Sequence, residues 1–398
     1  MKKNIKPALF ILIFLLILAG CVSSYTPGYI ENEQALVVEG LITDQPGAYT
    51  INISLSTQRW SANTYIRLSG FTVWITDDNG GRFDLKEGEK IGTYLTDPVT
   101  FKGEAGRTYS LHLITNGRFG NIYYESYPTK MIAAPPVDSV YYEKRTYNQA
   151  GFGTVEGCQI FLNTHDPTGE CRFYRWEYNE TWEFNLPSDY MVLNKTCWRS
   201  ENSEGILIKN SSSLENEKVT RFPLLTISNP VDRLSVKYSL LVNQFSLNED
   251  EFYYWEKIKN MTEATGGFYD VVPASISSNV YCPDDITRKV LGYFSVSAVK
   301  SKRIFIKDNF IENNMTYFNC IADTIHRIGN AFSGYYWVKY NYLTHRNDTI
   351  SGEGISFWTL YDYPSSVPPV KIITWNKGCA DCTTRGTIYK PDFWNDDK

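Results

Sequence analysis

Apolar and polar side chains alternate along several short stretches in the first third of the chain. Residues 49–55 carry an apolar side chain at every second position, and residues 71–75 repeat the pattern. A period of two places the apolar side chains on one face of a β-strand. With turn residues between the stretches, this pattern predicts a mainly β fold. It also predicts an immunoglobulin-like or transthyretin-like β-sandwich over residues 34–132.

Residues 133–398 form the second predicted region, which begins with Ala133-Ala134-Pro135-Pro136. Consecutive prolines favour an extended linker, because proline lacks the N–H group that a strand ladder needs. The region beyond is rich in β-branched and aromatic residues and predicts a β-rich domain. Within it, strands 159–162 and 172–178 are expected to form a hairpin around Asp166-Pro167-Thr168-Gly169.

One α-helix is predicted near residues 248–265. Ser246-Leu247-Asn248-Glu249 matches a capping box, and Gly266-Gly267 is a stop signal. Between these signals, apolar residues recur at helical spacing at Phe252, Trp255, Ile258 and Met261. Such a face predicts a helix packed on a sheet.

The N-terminus has the features of a secreted lipoprotein. Three lysines precede an apolar run over residues 8–18, and Leu18-Ala19-Gly20-Cys21 ends that run. A basic tip, a short apolar stretch and small residues before the cut are typical of a signal peptide, and the cysteine indicates a bacterial lipoprotein. We therefore expect residues 1–20 to be removed, Cys21 to carry lipid and residues 21–33 to form a tether. An uncleaved anchor or an ordinary signal peptide is the alternative.

The charge balance disfavours two kinds of partner. The chain has 39 Lys and Arg residues and 44 Asp and Glu residues, for a net charge of −5. Removal of residues 1–20 takes away three lysines and no acid, which leaves 36 basic against 44 acidic residues and a net charge of −8. Proteins that bind nucleic acids present basic surfaces, and polybasic segments hold anionic lipids. We therefore expect no nucleic-acid partner, and membrane attachment through lipid at Cys21 alone.

Eight cysteines include Cys21, and the other seven are odd in number, so at least one forms no intramolecular disulfide. Cys379-Ala380-Asp381-Cys382 admits three interpretations: a redox pair, half of a zinc site, or two structural disulfides. A redox pair needs a helix N-terminus, and a zinc site needs a second pair of ligands; the sequence indicates neither. Structural disulfides to Cys197 and Cys320 are favoured, with the connectivity left open.

Three further cysteines, Cys158, Cys171 and Cys282, allow at most one more bridge. The predicted hairpin would separate Cys158 from Cys171 by about 20 Å, at about 3.3 Å per residue. A disulfide requires Cα atoms within about 7 Å, so these two cysteines are not expected to pair.

The sequence carries no recognised catalytic signature. It has no metalloprotease, serine-hydrolase, nucleotide-loop or dinucleotide motif. The four histidines are scattered: His112, His165, His326 and His345. Acid pairs such as Asp284-Asp285, or Glu249 with Glu251, leave a hydrolase of unrecognised type as an alternative, since glycoside hydrolysis needs two carboxylates. We expect no catalytic, cofactor-binding or metal-binding residues and no enzymatic activity.

Five stretches spread over the chain form a set. They are Leu36-Val37-Val38-Glu39-Gly40-Leu41-Ile42-Thr43-Asp44, Pro135-Pro136-Val137-Asp138-Ser139-Val140, Gly266-Gly267-Phe268-Tyr269-Asp270-Val271-Val272-Pro273-Ala274, Leu291-Gly292-Tyr293-Phe294-Ser295-Val296-Ser297-Ala298, and Cys379-Ala380-Asp381-Cys382-Thr383 with Lys390-Pro391-Asp392-Phe393-Trp394. As a set they resemble the DUF4249 family of Bacteroidetes lipoproteins. The resemblance implies an outer-membrane lipoprotein encoded beside a TonB-dependent receptor, with a role in nutrient uptake. It implies no catalytic residue.

The combined expectation is a lipid-anchored, non-catalytic outer-membrane protein that is an accessory or binding partner of a TonB-dependent receptor. Many lipoproteins exported to the cell surface have acidic residues just after the lipid-bearing cysteine, whereas Val22-Ser23-Ser24-Tyr25 follows Cys21 here. The sequence therefore leaves both the periplasmic and the cell-surface location as alternatives. A stand-alone glycan- or peptide-binding lipoprotein is the first alternative. Its ligand would stack on exposed aromatic side chains, for which Trp60, Trp182 and Trp198 are the candidates. No cofactor is expected.

Overall fold

The structure is a computed structural model that describes residues 34–56, 65–116, 120–149, 153–186, 192, 194–228, 232–264, 276, 278–307, 320, 322–330, 334–341, 346–350, 358–366 and 369–395. The predicted signal peptide, Cys21 and the tether lie outside these residues. The described part is mainly β with one α-helix, which confirms the predicted fold class. None of its helices has the length and apolar character needed to span a membrane.

The strands are numbered in chain order. The first nine are β1 Leu36–Ile42, β2 Thr50–Ser56, β3 Tyr65–Arg67, β4 Phe71–Asp77, β5 Arg82–Glu87, β6 Thr93–Leu95, β7 Thr108–Thr115, β8 Tyr123–Ser126 and β9 Thr129–Lys130. The next seven are β10 Val137–Gln149, β11 Gly153–Thr164, β12 Phe173–Asn185, β13 Thr196–Asn202, β14 Leu207–Asn210, β15 Val219–Ser228 and β16 Lys237–Leu247. Helix α1 spans Glu249–Ala264. After it come β17 Val280–Tyr281, β18 Val290–Leu291, β19 Phe294–Val296, β20 Val299–Ile306, β21 Ala322–Asn330, β22 Gly334–Asn341, β23 Arg346–Ile350, β24 Trp358–Tyr363 and β25 Val370–Thr374.

Strands β1 to β9 belong to a twelve-stranded sheet with the main order β17-β8-β7-β4-β5-β6-β2-β1-β18. The alternation read from the sequence sets the burial of its side chains. In β7, Tyr109, Leu111 and Leu113 are buried, and the residues between them are partly exposed. Because one face of each strand is apolar, the sheet has a continuous core. The immunoglobulin-like or transthyretin-like arrangement stays a prediction.

Three strands of this sheet come from a segment far along the chain. β18 and β19 pair in parallel with β1, and β17 pairs antiparallel with β8. The Asn279 side chain fixes the segment, because its Nδ2 donates to Phe294 O and its Oδ1 accepts from Phe294 N, both at 2.8 Å. The 34–132 boundary stays a prediction. The sheet that contains β1 to β9 also includes strands from residues 280–296.

Within residues 137–306, two sheets share one hydrophobic core. One has the order β10-β11-β15, and the other has the order β13-β12-β16-β20 with β14 also on β12. The predicted hairpin of 159–162 with 172–178 is wrong, because β11 pairs with β10 and β15 whereas β12 pairs with β13, β14 and β16. The turn between them joins the two sheets instead. Side chains such as Ile160 and Trp176 then pack together in that core.

Helix α1 lies within one residue of each predicted end, but its cap differs from the predicted one. Asn248 Oδ1 accepts from Glu251 N at 2.8 Å, so Asn248 is the N-cap and Glu251 is the third helical residue. Ser246 is still in β16, where its hydroxyl donates to Ile132 O at 2.5 Å. The sheet ladder therefore extends past the residue that the pattern assigned to the cap. Phe252 is buried against Phe173, with ring centroids 5.1 Å apart.

A fourth sheet, with the order β23-β22-β21-β25-β24, lies near the C-terminus. Beyond it, short 3₁₀ turns at Lys377–Cys379, Cys382–Thr384 and Asp392–Asn395 complete the described chain. Two disulfides hold this end: Cys197 is bonded to Cys382, and Cys320 to Cys379.

Candidate functional site

The histidines that the structure describes lie apart from one another, as their scatter in the sequence suggests. On the N-terminal sheet, His112 shares hydrogen bonds with Thr76 Oγ1 at 2.8 Å and Tyr123 OH at 2.7 Å. Burial lowers the pKa of His112, which favours its neutral form. His165 pairs with Asp138 at 2.8 Å on a different sheet. Among the described residues, no group of three or more potential ligands could hold a metal ion.

The other histidines and the acid pair that includes Asp285 add no further residue to such a site among the described residues. His326 lies in β21, and His345 lies outside the described residues. The Asp285 carboxylate accepts hydrogen bonds from Thr287, through its N–H at 3.1 Å and its hydroxyl at 2.6 Å, and so stabilises a turn.

A pocket forms where two strands share one edge of β12. β14 pairs with residues 173–176 and β13 pairs with residues 179–185, which leaves a gap between the two strands. Ser203 fills the gap, since its N–H donates to Tyr178 O at 2.8 Å and its hydroxyl oxygen accepts from Tyr178 N at 3.2 Å. The loop 203–206 is thereby held beside the sheet as one wall of the pocket.

We call this cavity the Arg175 pocket; its volume is about 430 Å³. Arg175, Glu177 and Asn179 share one face of β12, because successive side chains of a strand alternate between faces. Asn243 stands opposite Glu177 on β16, and Trp255 of α1 forms another wall. The pocket therefore combines charged, amide and aromatic side chains on regular elements.

Arg175 is the most buried charged side chain in the lining, with 9% exposed. Its guanidinium carbon lies 4.6 Å from the ring centroids of both Phe245 and Trp255. Its Nη1 donates to Glu177 Oε1 at 2.6 Å, whereas its Nε is buried without a hydrogen-bond partner among the described residues. A buried donor without an acceptor costs about 1–3 kcal/mol.

Glu251 links the helix to Arg175. The side chain is fully buried, and Trp255 Nε1 donates to its Oε1 at 3.3 Å. Burial raises the pKa of Glu251, and the nearby positive charge of Arg175 opposes that rise. Because Glu251 accepts a hydrogen bond from Trp255, it helps to fix the position of that wall of the pocket.

Trp182 is not part of an exposed aromatic surface. Only 2% of it is accessible, and its Nε1 donates to Asp232 Oδ1 at 3.2 Å inside the core. Arg385 Nη2 donates to the other oxygen of Asp232 at 2.7 Å. The prediction that Trp182 stacks on a ligand is therefore wrong, because its ring faces are covered by the protein.

Trp198 is half-buried beneath the C-terminal segment. It forms a two-residue bridge with Thr387, in which each N–H donates to the other's carbonyl at 2.8 Å. Its Nε1 is buried without a hydrogen-bond partner in the described part of the chain. Trp60, the third predicted residue, lies outside the described residues. Neither Trp182 nor Trp198 lines the Arg175 pocket.

The disulfides decide between the interpretations of Cys379 and Cys382. Each is bonded to a distant cysteine rather than to its neighbour, with Cα–Cα distances of 5.6 Å to Cys320 and 5.7 Å to Cys197. They are structural bridges, as the sequence favours. Within the described ranges, the remaining three cysteines are buried and unbonded: Cys158, Cys171 and Cys282.

The Arg175 pocket was not predicted, although the sequence contains a signal for it. In residues 173–179 the order is Phe-Tyr-Arg-Trp-Glu-Tyr-Asn, so charged and amide residues occupy one face of an otherwise aromatic strand. That alternation indicates a polar sheet face. The depth of the pocket depends on Trp255 and loop 203–206, whose positions follow from tertiary packing.

The N-terminal sheet and the Arg175 pocket belong to a stretch of chain that is similar to a known family. A family model described as a domain of unknown function, DUF4249, matches residues 22–303, which is more than half of the chain. The chain belongs to the DUF4249 family. No curated protein matches the chain. In this DUF4249 protein the Arg175 pocket lies within the matched residues, whereas Cys320, Cys379 and Cys382 lie beyond them.

Proposed function

We propose that this DUF4249 protein is a non-catalytic, lipid-anchored outer-membrane protein that serves a TonB-dependent receptor as an accessory partner in nutrient uptake. The observation that carries the proposal is Leu18-Ala19-Gly20-Cys21 at the end of a short apolar run. The family match starts at residue 22, directly after the cysteine that would carry the lipid. An acidic mature chain supports attachment through acyl chains rather than through a basic surface.

Native copurification tests the partnership. Outer membranes of the native host are solubilised in mild detergent, the protein is captured through a C-terminal tag, and its companions are identified by mass spectrometry. We expect one large β-barrel receptor in stoichiometric amount. A Cys21→Ser variant is the matched control, because it keeps the described fold and lacks the predicted anchor. Repeated capture of the protein without a receptor would contradict the partnership.

A second function, ligand binding by the protein itself, is favoured by the Arg175 pocket. The buried Arg175, whose Nε has no partner among the described residues, lies beside the partly exposed Glu177 and is a preorganised polar group in a concave site. Ligand sites combine apolar walls with a few fixed polar groups, and Trp255 supplies such a wall. Glu251, whose pKa is raised, is fully buried and does not line the pocket, so it does not favour the hydrolase alternative.

A further inference from the structure

We propose that the Arg175 pocket binds a neutral carbohydrate. The hydroxyl groups of the sugar would contact the polar side chains of Arg175, Asn179 and Asn243, and the sugar ring would pack against Trp255. The proposal rests on the ligand-binding function above. It assigns the chemical class of the ligand from the charges, hydrogen bonds and ring contacts of the pocket.

The charges of the lining favour a ligand without net charge. Arg175 is already paired with Glu177, which accepts from Nη1 at 2.6 Å. An anionic ligand would meet the carboxylates of Glu177 and Glu204 in the same lining. A cationic ligand would meet the guanidinium of Arg175 in that lining. A hydroxyl group avoids both costs, since it is neutral and can both donate and accept.

Arg175 is the fixed cationic donor in the lining of the pocket. Its side chain is more than nine-tenths buried, and its guanidinium carbon lies 4.6 Å from the ring centroids of both Phe245 and Trp255. A donor fixed in this way loses no further side-chain freedom when it binds. A sugar hydroxyl that accepts from the exposed part of the guanidinium therefore forms its hydrogen bond at little cost in side-chain entropy.

Side-chain amide groups with fixed orientations extend the polar surface of the pocket. Asn179 Nδ2 donates to Asn202 Oδ1 at 2.9 Å, and Ser301 Oγ donates to Asn243 Oδ1 at 2.7 Å. These bonds orient three carboxamides across neighbouring strands, and each carboxamide has donors and acceptors to spare. Planar groups with paired donors or acceptors suit the adjacent hydroxyls of a sugar ring.

Trp255 supplies the apolar wall. Its ring is partly exposed, and its orientation is fixed by the bond from Nε1 to Glu251 and by Arg175 over the ring at 4.6 Å. The C–H face of a pyranose is apolar and packs against an aromatic ring, whereas its hydroxyls point sideways to polar groups. The cavity volume of about 430 Å³ lies in the range of about 300–1,000 Å³ that is usual for small-molecule sites.

The backbone around the pocket disfavours a peptide ligand. Peptides that add to a sheet need an edge with open N–H and C=O groups. Here Tyr178 bonds Ser203 through both groups, and the residues of β12 at the pocket also pair with β16 along residues 173–183. Recognition must therefore come from side chains, which suits a compact polyol better than an extended chain.

Binding by the intact protein tests the ligand class. Purified full-length protein is titrated with short neutral gluco-, manno-, galacto-, xylo- and N-acetylglucosamine oligosaccharides, and binding is followed by tryptophan emission and calorimetry. Oligogalacturonides and mixed tripeptides form the competing panels. We expect saturable binding of at least one neutral series. Absence of binding to every neutral series, or tighter binding of either competing panel, would overturn the proposal.

Variants place the binding at the pocket. Asn243→Ala and Trp255→Phe should each weaken the neutral oligosaccharide by about tenfold or more, which is about 1.4 kcal/mol. Asn52→Ala is the matched control: Asn52 is half-buried on β2, accepts from the Thr93 hydroxyl at 3.3 Å and should leave affinity unchanged. Equal affinity of all variants would overturn the proposed site. Receptor copurification is independent of these titrations, so failure of the ligand proposal and failure of the receptor proposal can be told apart.

Discussion

Gly292 lies directly against the carbonyl oxygen of Val38. A Cβ atom at Gly292 would stand 2.2 Å from that oxygen, and the residue has a φ of +84°. Both facts require glycine, because a side chain would clash with β1 and a positive φ is strained for other residues. This contact locks the segment of β18 and β19 onto β1.

Gly292→Ala should therefore destabilise the N-terminal sheet by more than about 2 kcal/mol, from backbone strain and the clash with Val38. Chemical denaturation followed by far-UV circular dichroism measures the change. Gly205→Ala is the matched control, since no atom of the described residues lies within 4 Å of the place that its Cβ would occupy. The control should stay within about 0.5 kcal/mol of the wild type. Equal stability of the two variants would contradict the close contact.

The Cys197–Cys382 disulfide should contribute strongly to stability, because it closes a loop with a sequence separation of 185. The double variant Cys197→Ser, Cys382→Ser should lose about 2–5 kcal/mol of unfolding free energy. Denaturation of wild type and variant, each with and without reductant, measures this loss. Reductant should lower the stability of the wild type further than that of the variant, which retains only Cys320–Cys379 of the two described bridges. An equal response in both proteins would argue against the bridge.

Glu251 should make stability depend on pH. Burial raises its pKa in the folded protein above the ordinary value of 4.5, so its contribution is fully present below that value and is lost as pH rises through the folded pKa. Relative to Glu251→Gln, the wild type should therefore become less stable as the pH rises above about 4.5. Matched denaturation series of both proteins measure the difference. A difference that is flat with pH, or that grows in the opposite sense, would contradict the raised pKa.

The Arg385–Asp232 ion pair should couple the C-terminal segment to the core. Asp232 has 7% of its side chain exposed, and Arg385 has 28%. A double-mutant cycle with Arg385→Gln and Asp232→Asn should give a coupling of about 1–3 kcal/mol. The exposed pair Arg82–Asp84 is the control and should show almost none. Similar couplings for both pairs would mean that burial adds nothing.

Cys21→Ser should move the protein from the membrane fraction to the soluble fraction of the native host. A thioether-linked lipid at the cysteine sulfur is the proposed attachment, and serine removes that sulfur. Fractionation with immunoblotting measures the shift, and mass spectrometry of the N-terminal peptide detects the acyl groups directly. Retention of the variant in the membrane, or an unmodified Cys21 in the wild type, would contradict lipid anchoring.

Local patterns predicted the strands and the helix, but they could not predict strand partners. The alternation in β7 and the apolar face with Phe252 depend on neighbours within a few residues, so the sequence shows them directly. The hairpin prediction failed because a turn at residues 166–169 can join two strands of one sheet or two packed sheets. Only the packing of Ile160 with Trp176 in one core decides between these outcomes.

The same limit applies to the candidate site. The prediction for Trp182 depended on residue type alone. A tryptophan has a large apolar surface, which can stabilise a hydrophobic core as well as a binding surface. Arg175 was not predicted as a site residue, because an arginine in a strand usually faces solvent. Its burial depends on Phe245 and Trp255, which are distant in sequence and close only after β16 and α1 pack on β12.

The position of β18 and β19 beside β1 sets an order for assembly. Synthesis proceeds from the N-terminus, so β1 is complete long before residues 290–296 are made. Until then, the backbone N–H and C=O groups on one side of Leu36–Ile42 have no strand partner. An open strand edge is a template for pairing with other chains. The edge of β1 therefore stays unpaired until residues 290–296 have been synthesised, and a fragment that ends at residue 132 would expose the same edge permanently.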